Sequence, residues 1–161
     1  MRTKRGFSLI ELLIVVAIIL VLAAIAVPSL LRSRISANEA SAVASLRSIN
    51  TAQVTYNITY PAEGFADTLT KLSMPSGSNP VGSQNAGLID WVLGCASQPC
   101  PKSGYTFAIT GTNSGTPIVT YGLTAVPLVP GQTGFRGFCS DQLSNMKFDV
   151  AGGTNCTSPL Q

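Results

Sequence analysis

A chain of 161 residues with 45% apolar side chains has length for one ordinary globular domain and a membrane segment, and too little for two large cores. Charged residues make up 11%, well below the roughly 25% of a typical soluble domain, and the shortfall is concentrated near the N-terminus. The formal net charge of +3 comes from Arg2, Lys4 and Arg5; beyond Gly6 seven basic residues meet seven acidic ones, scattered rather than clustered, which excludes a dedicated nucleic-acid site.

The three leading cations read as a topology signal that keeps a short N-terminal tail in the cytoplasm. An unbroken apolar run, LLIVVAIILVLAAIAV, fills residues 12 to 27, and extending it back to Phe7 gives a stretch whose helix would be roughly 31 Å long at about 1.5 Å per residue. That matches the roughly 30 Å hydrocarbon core of a bilayer. A buried core helix is the other reading, but hydrophobicity on every side over this length favours a membrane segment.

Glu11 stands inside this stretch. An acidic side chain costs about 2.5 to 3.5 kcal/mol at the middle of a membrane helix and less towards its ends, so the carboxylate calls for a partner. A cut between Gly6 and Phe7 supplies one: the new ammonium, with a reference pKa of about 7.7 to 8.0, lies one helical turn from Glu11 or beside the Glu11 of a neighbouring copy. The plainer alternative is a carboxylate that snorkels to the interface. A second processing signal, Ala24-Ile25-Ala26, fits a general signal peptidase and would release a soluble protein starting at Val27; Glu11 and the length of the apolar run weigh against it.

The string KRGFSLIELL, residues 4 to 13, resembles the processing and methylation signal of type IV pilins and the related secretion pseudopilins. The resemblance implies a membrane-embedded prepilin peptidase that cleaves after Gly6 and N-methylates Phe7, with Glu11 supporting methylation and subunit docking. It further implies a precursor in the bacterial inner membrane, handling by a pilus assembly machinery, and a homo-oligomeric helical filament at the cell surface, with motility, adhesion or DNA uptake as family roles and no cofactor. A pseudopilin of a type II secretion system shares the signal and is the alternative. A membrane-anchored or secreted ligand-binding domain or enzyme is a third reading.

Residues 29 to 56 contain neither Gly nor Pro and continue the helix, with Leu31, Ile35, Ala42, Leu46 and Ile49 on one face, interrupted by Glu39 and Gln53. Pro28 cannot donate its N–H and is expected to kink or locally open the helix where the apolar run ends. After Tyr56 the composition shifts to Gly, Ser, Thr and Pro; residues 61 to 104 read as a long loop with short helices at 66 to 72 and 88 to 93. Strands are expected at 105 to 110, 118 to 124, 135 to 139 and 146 to 150. The fold class is therefore α+β: a long N-terminal helical spine, its first half membrane-spanning, packed on an antiparallel sheet of about four strands. The expected divisions are a cleaved leader at 1–6, a transmembrane or fibre-core helix at 7–28, an amphipathic continuation at 29–56, and a head at 57–161, itself a loop region to 104 and a sheet region beyond.

Four cysteines, Cys95, Cys100, Cys139 and Cys156, all lie in the head and fit a compartment outside the cytoplasm. Three pairings are possible. Pairing of sequence neighbours, Cys95 with Cys100 and Cys139 with Cys156, is preferred because neighbours meet easily and the second bridge would fasten the C-terminal tail; the resembling family often closes a C-terminal loop this way. A loop of about fifteen residues closed so contributes roughly 3 kcal/mol.

The chain has no His, so the commonest general base is absent, and neither cysteine spacing follows a zinc pattern; no enzyme and no metal are expected. Lys71, Lys102 and Lys147 carry no mark of an activated base. Asp141 and Asp149 read as turn carboxylates rather than a calcium site. Phe7, Tyr56 and Tyr60 read as ordinary packing residues.

Overall fold

A computed structural model describes residues 7–77 and 80–160. The leader, including the expected cut at Gly6, lies outside the described residues. Contacts divide the chain into two units, Met1–Arg34 and Ile35–Gln161.

The helix α1, Leu9–Thr59, contributes to both units. In the first unit it opens with the Leu12 N–H donating to the Ser8 carbonyl at 3.2 Å and stays helical through Pro28. Pro28 leaves unmade the ladder bond to the carbonyl of residue 24, and the surrounding turns continue without interruption. From Phe7 to Arg34 every side chain is exposed except Ala23, which is half-buried.

In the second unit α1 meets an antiparallel sheet whose strands follow one another in space as in sequence: β1 Cys100–Lys102, β2 Tyr105–Thr110, β3 Gly122–Pro127, β4 Gly137–Asp141, β5 Met146–Asp149 and β6 Ser158–Pro159. Alternation along β2 turns Tyr105, Phe107 and Ile109 inward, and β3 does the same with Leu123 and Ala125. With Phe138 from β4 they join Ala42, Leu46, Ile49, Ala52 and Tyr56 of α1 in one core. The loop region adds Ala66, Leu69, Leu72, Ile89 and Leu93, so it packs into that core as well.

The α+β class holds, with six strands where four were expected. The two additional strands are the sheet edges, three and two residues long and each containing a proline, too short to show as periodicity and defined only by their pairing with β2 and β5. The strand expected at 118 to 124 begins later, at Gly122, because Ile118 is taken by another segment: its N–H donates to the Glu63 carbonyl at 2.8 Å and its carbonyl accepts from Phe65 at 2.9 Å. Gly64, at φ +81°, makes that approach possible; a Cβ there would collide with the Ile118 backbone. Strand β4 likewise starts at Gly137 rather than 135, and β5 ends at Asp149. Only Leu69–Leu72 of the first expected short helix forms, as α2. The second, at 88 to 93, is a single turn: the Asp90 carboxylate accepts from the N–H groups of Val92 and Leu93 at 3.0 and 2.8 Å, and Gly94 closes back on the Asp90 carbonyl.

Cys95 is bridged to Cys100 and Cys139 to Cys156, with Cα separations of 5.6 and 6.0 Å. The second bridge ties β4 to the tail that supplies β6, and Leu160 beyond it packs against the core and donates its N–H to Met146. Replacing both Cys139 and Cys156 by Ser is expected to lower head stability by about 3 kcal/mol and free the last residues. Denaturant titration of the detergent-solubilised chain and carboxypeptidase trimming read these two effects; unchanged midpoint and resistance would refute the tail's dependence on the bridge.

Candidate assembly surface

Seventeen large apolar side chains between Phe7 and Leu31 are exposed, with Phe7 at 73% and Leu9 at 80%. This is the one stretch among the described residues long and apolar enough to cross a membrane. At about 1.5 to 3 kcal/mol for each such side chain fully buried, covering the surface is worth roughly 25 to 50 kcal/mol gross. Glu11 sits in the first turn of α1, where a carboxylate complements the partial positive charge of the helix N-terminus, and it is exposed beside this apolar surface. Phe7 stands two residues before α1 and Glu11 in its first turn, and both are exposed.

In the second unit the residues expected to interrupt the apolar stripe turn out to be fixing points. Glu39 is buried, and its carboxylate accepts four hydrogen bonds: from the N–H groups of Phe135 and Arg136 at 2.9 and 3.1 Å, and from Nε and Nη2 of Arg136 at 2.9 and 2.7 Å. The Arg136 guanidinium also lies over the rings of Phe138 and Phe148 at 5.5 and 5.4 Å. Gln53, fully buried, pairs reciprocally with the backbone of Ala66, its amide donating to the carbonyl and its oxygen accepting from the N–H, both at 2.8 Å. Asn50 donates to Ser140 at 2.7 Å and accepts from the Tyr121 hydroxyl at 2.9 Å. These three side chains set the register of α1 against the segment just before β4, the loop at Ala66, and Tyr121 and Ser140 at β3 and β4. Leu31, expected on the buried stripe, is exposed and belongs to the first unit.

Burial pushes the Glu39 carboxyl up, but the hydrogen bonds from Phe135 and Arg136 and the Arg136 charge outweigh it and hold the group below its ordinary range. Tyr105, whose hydroxyl donates to the Arg136 carbonyl at 2.8 Å, is pushed well above the usual phenol value, first by burial and then by the Glu39 charge. The head's other charges also have local tasks. Lys71 meets Asp67 at 3.0 Å and Glu63 at 3.7 Å, and Lys102 meets Asp90 at 2.6 Å. Asp141 accepts from the N–H groups of Leu143 and Asn145, and Asp149 from those of Ala151 and Asn155, so each closes its own turn.

Residues 1–27 match the family described as the prokaryotic N-terminal methylation motif. The chain is type IV pilin-like in its N-terminal segment. It is 48% identical over 58 residues to the type IV wide pilus major component PilA4 of Thermus thermophilus, a match covering 36% of this chain and 44% of that one. With the type IV major pilin protein PilA of Myxococcus xanthus it shares 46% identity over 53 residues, 33% of this chain and 24% of the relative. The chain thus spans less than half the length of the curated relatives it matches. No solved structure matches it.

For this pilin-like chain the Glu39 contacts make a direct stability prediction. Glu39→Gln keeps an acceptor but loses the charge and part of the fork to Arg136, and is expected to lower head stability by about 1 to 3 kcal/mol. Because the native carboxyl is held low, its contribution is complete above the ordinary Glu value of about 4.3 and is lost as pH falls through the lowered folded value. Denaturant midpoints measured against pH for both proteins should converge under acid conditions; a constant gap would show that charge is not what Glu39 supplies.

Proposed function

We propose that the chain is a structural subunit of a type IV pilus filament, made as an inner-membrane precursor and polymerised through its N-terminal helix. The uncovered apolar surface over residues 7 to 31, with Glu11 as its lone charge, is the observation that carries this reading. A bilayer covers that surface in the precursor, and the same segments of neighbouring copies cover it in the fibre. Prepilin peptidase cuts after Gly6 and methylates the Phe7 amine, whose positive charge then pairs with Glu11 within or between subunits. In an apolar fibre interior the pair offsets the desolvation of both groups and acts chiefly to fix register. Pro28 is the point at which the spine bends as subunits pack. The head, anchored on the second half of α1, faces outward and builds the filament surface; the work is structural rather than catalytic. The leader at 1–6 and the helix at 7–28 are the processing and assembly segments, while the continuation at 29–56 and the head at 57–161 form the outer part.

Mass spectrometry of the subunit from sheared surface filaments should find an N-methylated Phe7 as the first residue. A chain starting at Val27, or no recoverable filament, refutes the proposal. Gly6→Leu should leave an uncut precursor in the membrane, and normal trimming in that variant rules out the assigned cut.

Glu11→Leu should insert and be trimmed yet yield filaments reduced at least tenfold, read by immunoblot of the sheared fraction against the membrane fraction. Wild-type filament yield in that variant removes Glu11 from assembly.

A further inference from the structure

The second unit carries five cationic side chains, and among the described residues three are answered: Arg136 by Glu39, Lys71 by Glu63 and Asp67, and Lys102 by Asp90. The other two, Arg47 on α1 and Lys147 on β5, are exposed, make no ion pair among those residues, and line one groove between α1 and the β4–β5 turn with β5 and β6. Lys147 acts on Asp141 only at longer range: burial raises that carboxyl, and hydrogen bonds from Asn145 and Leu143 together with the Lys147 charge bring it below its ordinary value. The groove holds about 870 Å³, within the range of small-ligand sites. A neighbouring hollow of about 500 Å³ shares Arg47, but its other cation is Arg136, whose charge Glu39 already answers. Positive charge open to a ligand is therefore concentrated in the larger groove.

The hydroxyls on the helix wall narrow the chemistry of that ligand. Thr51 Oγ1 donates to the Arg47 carbonyl at 3.1 Å and Thr55 Oγ1 to the Thr51 carbonyl at 3.0 Å, so each hydrogen is used within the helix and each oxygen is left to a ligand only as an acceptor. A bare anion brings acceptors alone and satisfies the cations but not these oxygens. A ligand that satisfies both carries a carboxylate and O–H donors at close spacing. We propose that the groove binds an acidic saccharide, with uronate carboxylates held by Arg47 and Lys147, ring hydroxyls donating to Thr51 and Thr55, and C–H faces resting on Val54 and Pro159. Single-stranded nucleic acid fits less well, because no aromatic side chain lines the groove to stack a base. The described part of a second copy's head offers no open acidic side chain: Glu39, Glu63, Asp67 and Asp90 are in ion pairs, and Asp141 and Asp149 are taken by their own turns. The inference concerns the second unit alone and goes beyond polymerisation, needing neither the cut after Gly6 nor the fibre.

The test uses the full-length chain in an uncharged polyoxyethylene detergent, with binding of fluorescein-labelled tetragalacturonate read by anisotropy. A saturable rise is expected, and Arg47→Gln and Lys147→Gln should each weaken it about tenfold, the worth of one charge-assisted hydrogen bond. Both side chains are exposed and make no side-chain hydrogen bond among the described residues, so the variants should keep the wild-type denaturant midpoint. Arg34→Gln, which removes an exposed cation outside the groove, should stay within about twofold of wild type. Unlabelled cellotetraose, tetraglutamate and octathymidylate should each compete at least about tenfold less well than unlabelled tetragalacturonate. Absence of saturable binding, equal weakening by Arg34→Gln, or equal competition by the neutral sugar, the acidic peptide or the oligonucleotide overturns the site. A chain that binds but yields no filament would sink the proposed function and leave this site standing, whereas a filament subunit that does not bind sinks the site alone.

Discussion

Apolar surface left exposed along the first unit is the constraint on which the rest depends. Between Phe7 and Leu31 large aliphatic side chains are exposed on every side of α1. In water such a surface has an unfavourable free energy several times larger than the entire stability of a small domain. Such a surface calls for an apolar covering, and in the proposed reading lipid supplies it before assembly and neighbouring copies after. The second unit has a core of its own, built from Ala42, Leu46, Ile49, Ala52 and Tyr56 of α1 with the sheet and the loop region.

That arrangement asks for a firm joint between head and helix, since any force on the spine reaches the head through α1. Apolar packing of Leu46, Ile49 and Tyr56 supplies most of the burial but little direction, because one aliphatic contact resembles the next after a small slide. Glu39, Asn50 and Gln53 add direction. Each satisfies partners on a different part of the head, the segment just before β4, Tyr121 and Ser140 at β3 and β4, and the loop at Ala66, and a shift of α1 by one turn would leave all of them buried and unpaired. The disulfide between Cys139 and Cys156 completes the joint by holding the tail against β5.

Glu39 and Glu11 show how the same side chain does different work on one helix. Glu39 is enclosed by donors and its charge is matched within the chain, so it fixes structure. Glu11 is exposed and makes no ion pair among the described residues, which leaves its charge free for the partner that the proposed function assigns to it.

The amino-acid sequence by itself determined the helical spine, its apolar half, the placement of Glu11 and the α+β class. These rest on local pattern: hydrophobicity on every side over a bilayer's length, absence of Gly and Pro from 29 to 56, and strict alternation in Tyr105–Thr110, which is a strand with those bounds. Tertiary structure decided what depends on distant partners. The edge strands Cys100–Lys102 and Ser158–Pro159 exist because β2 and β5 offer free backbone groups, and their own residues signal nothing. Ile118 lies outside its expected strand because its backbone groups are bonded to Glu63 and Phe65 on either side of Gly64. Glu39 and Gln53 looked like flaws in an apolar stripe and became its fixing points, since a polar side chain's fate is set by the donors and acceptors that folding brings to it from 13 to 97 residues away.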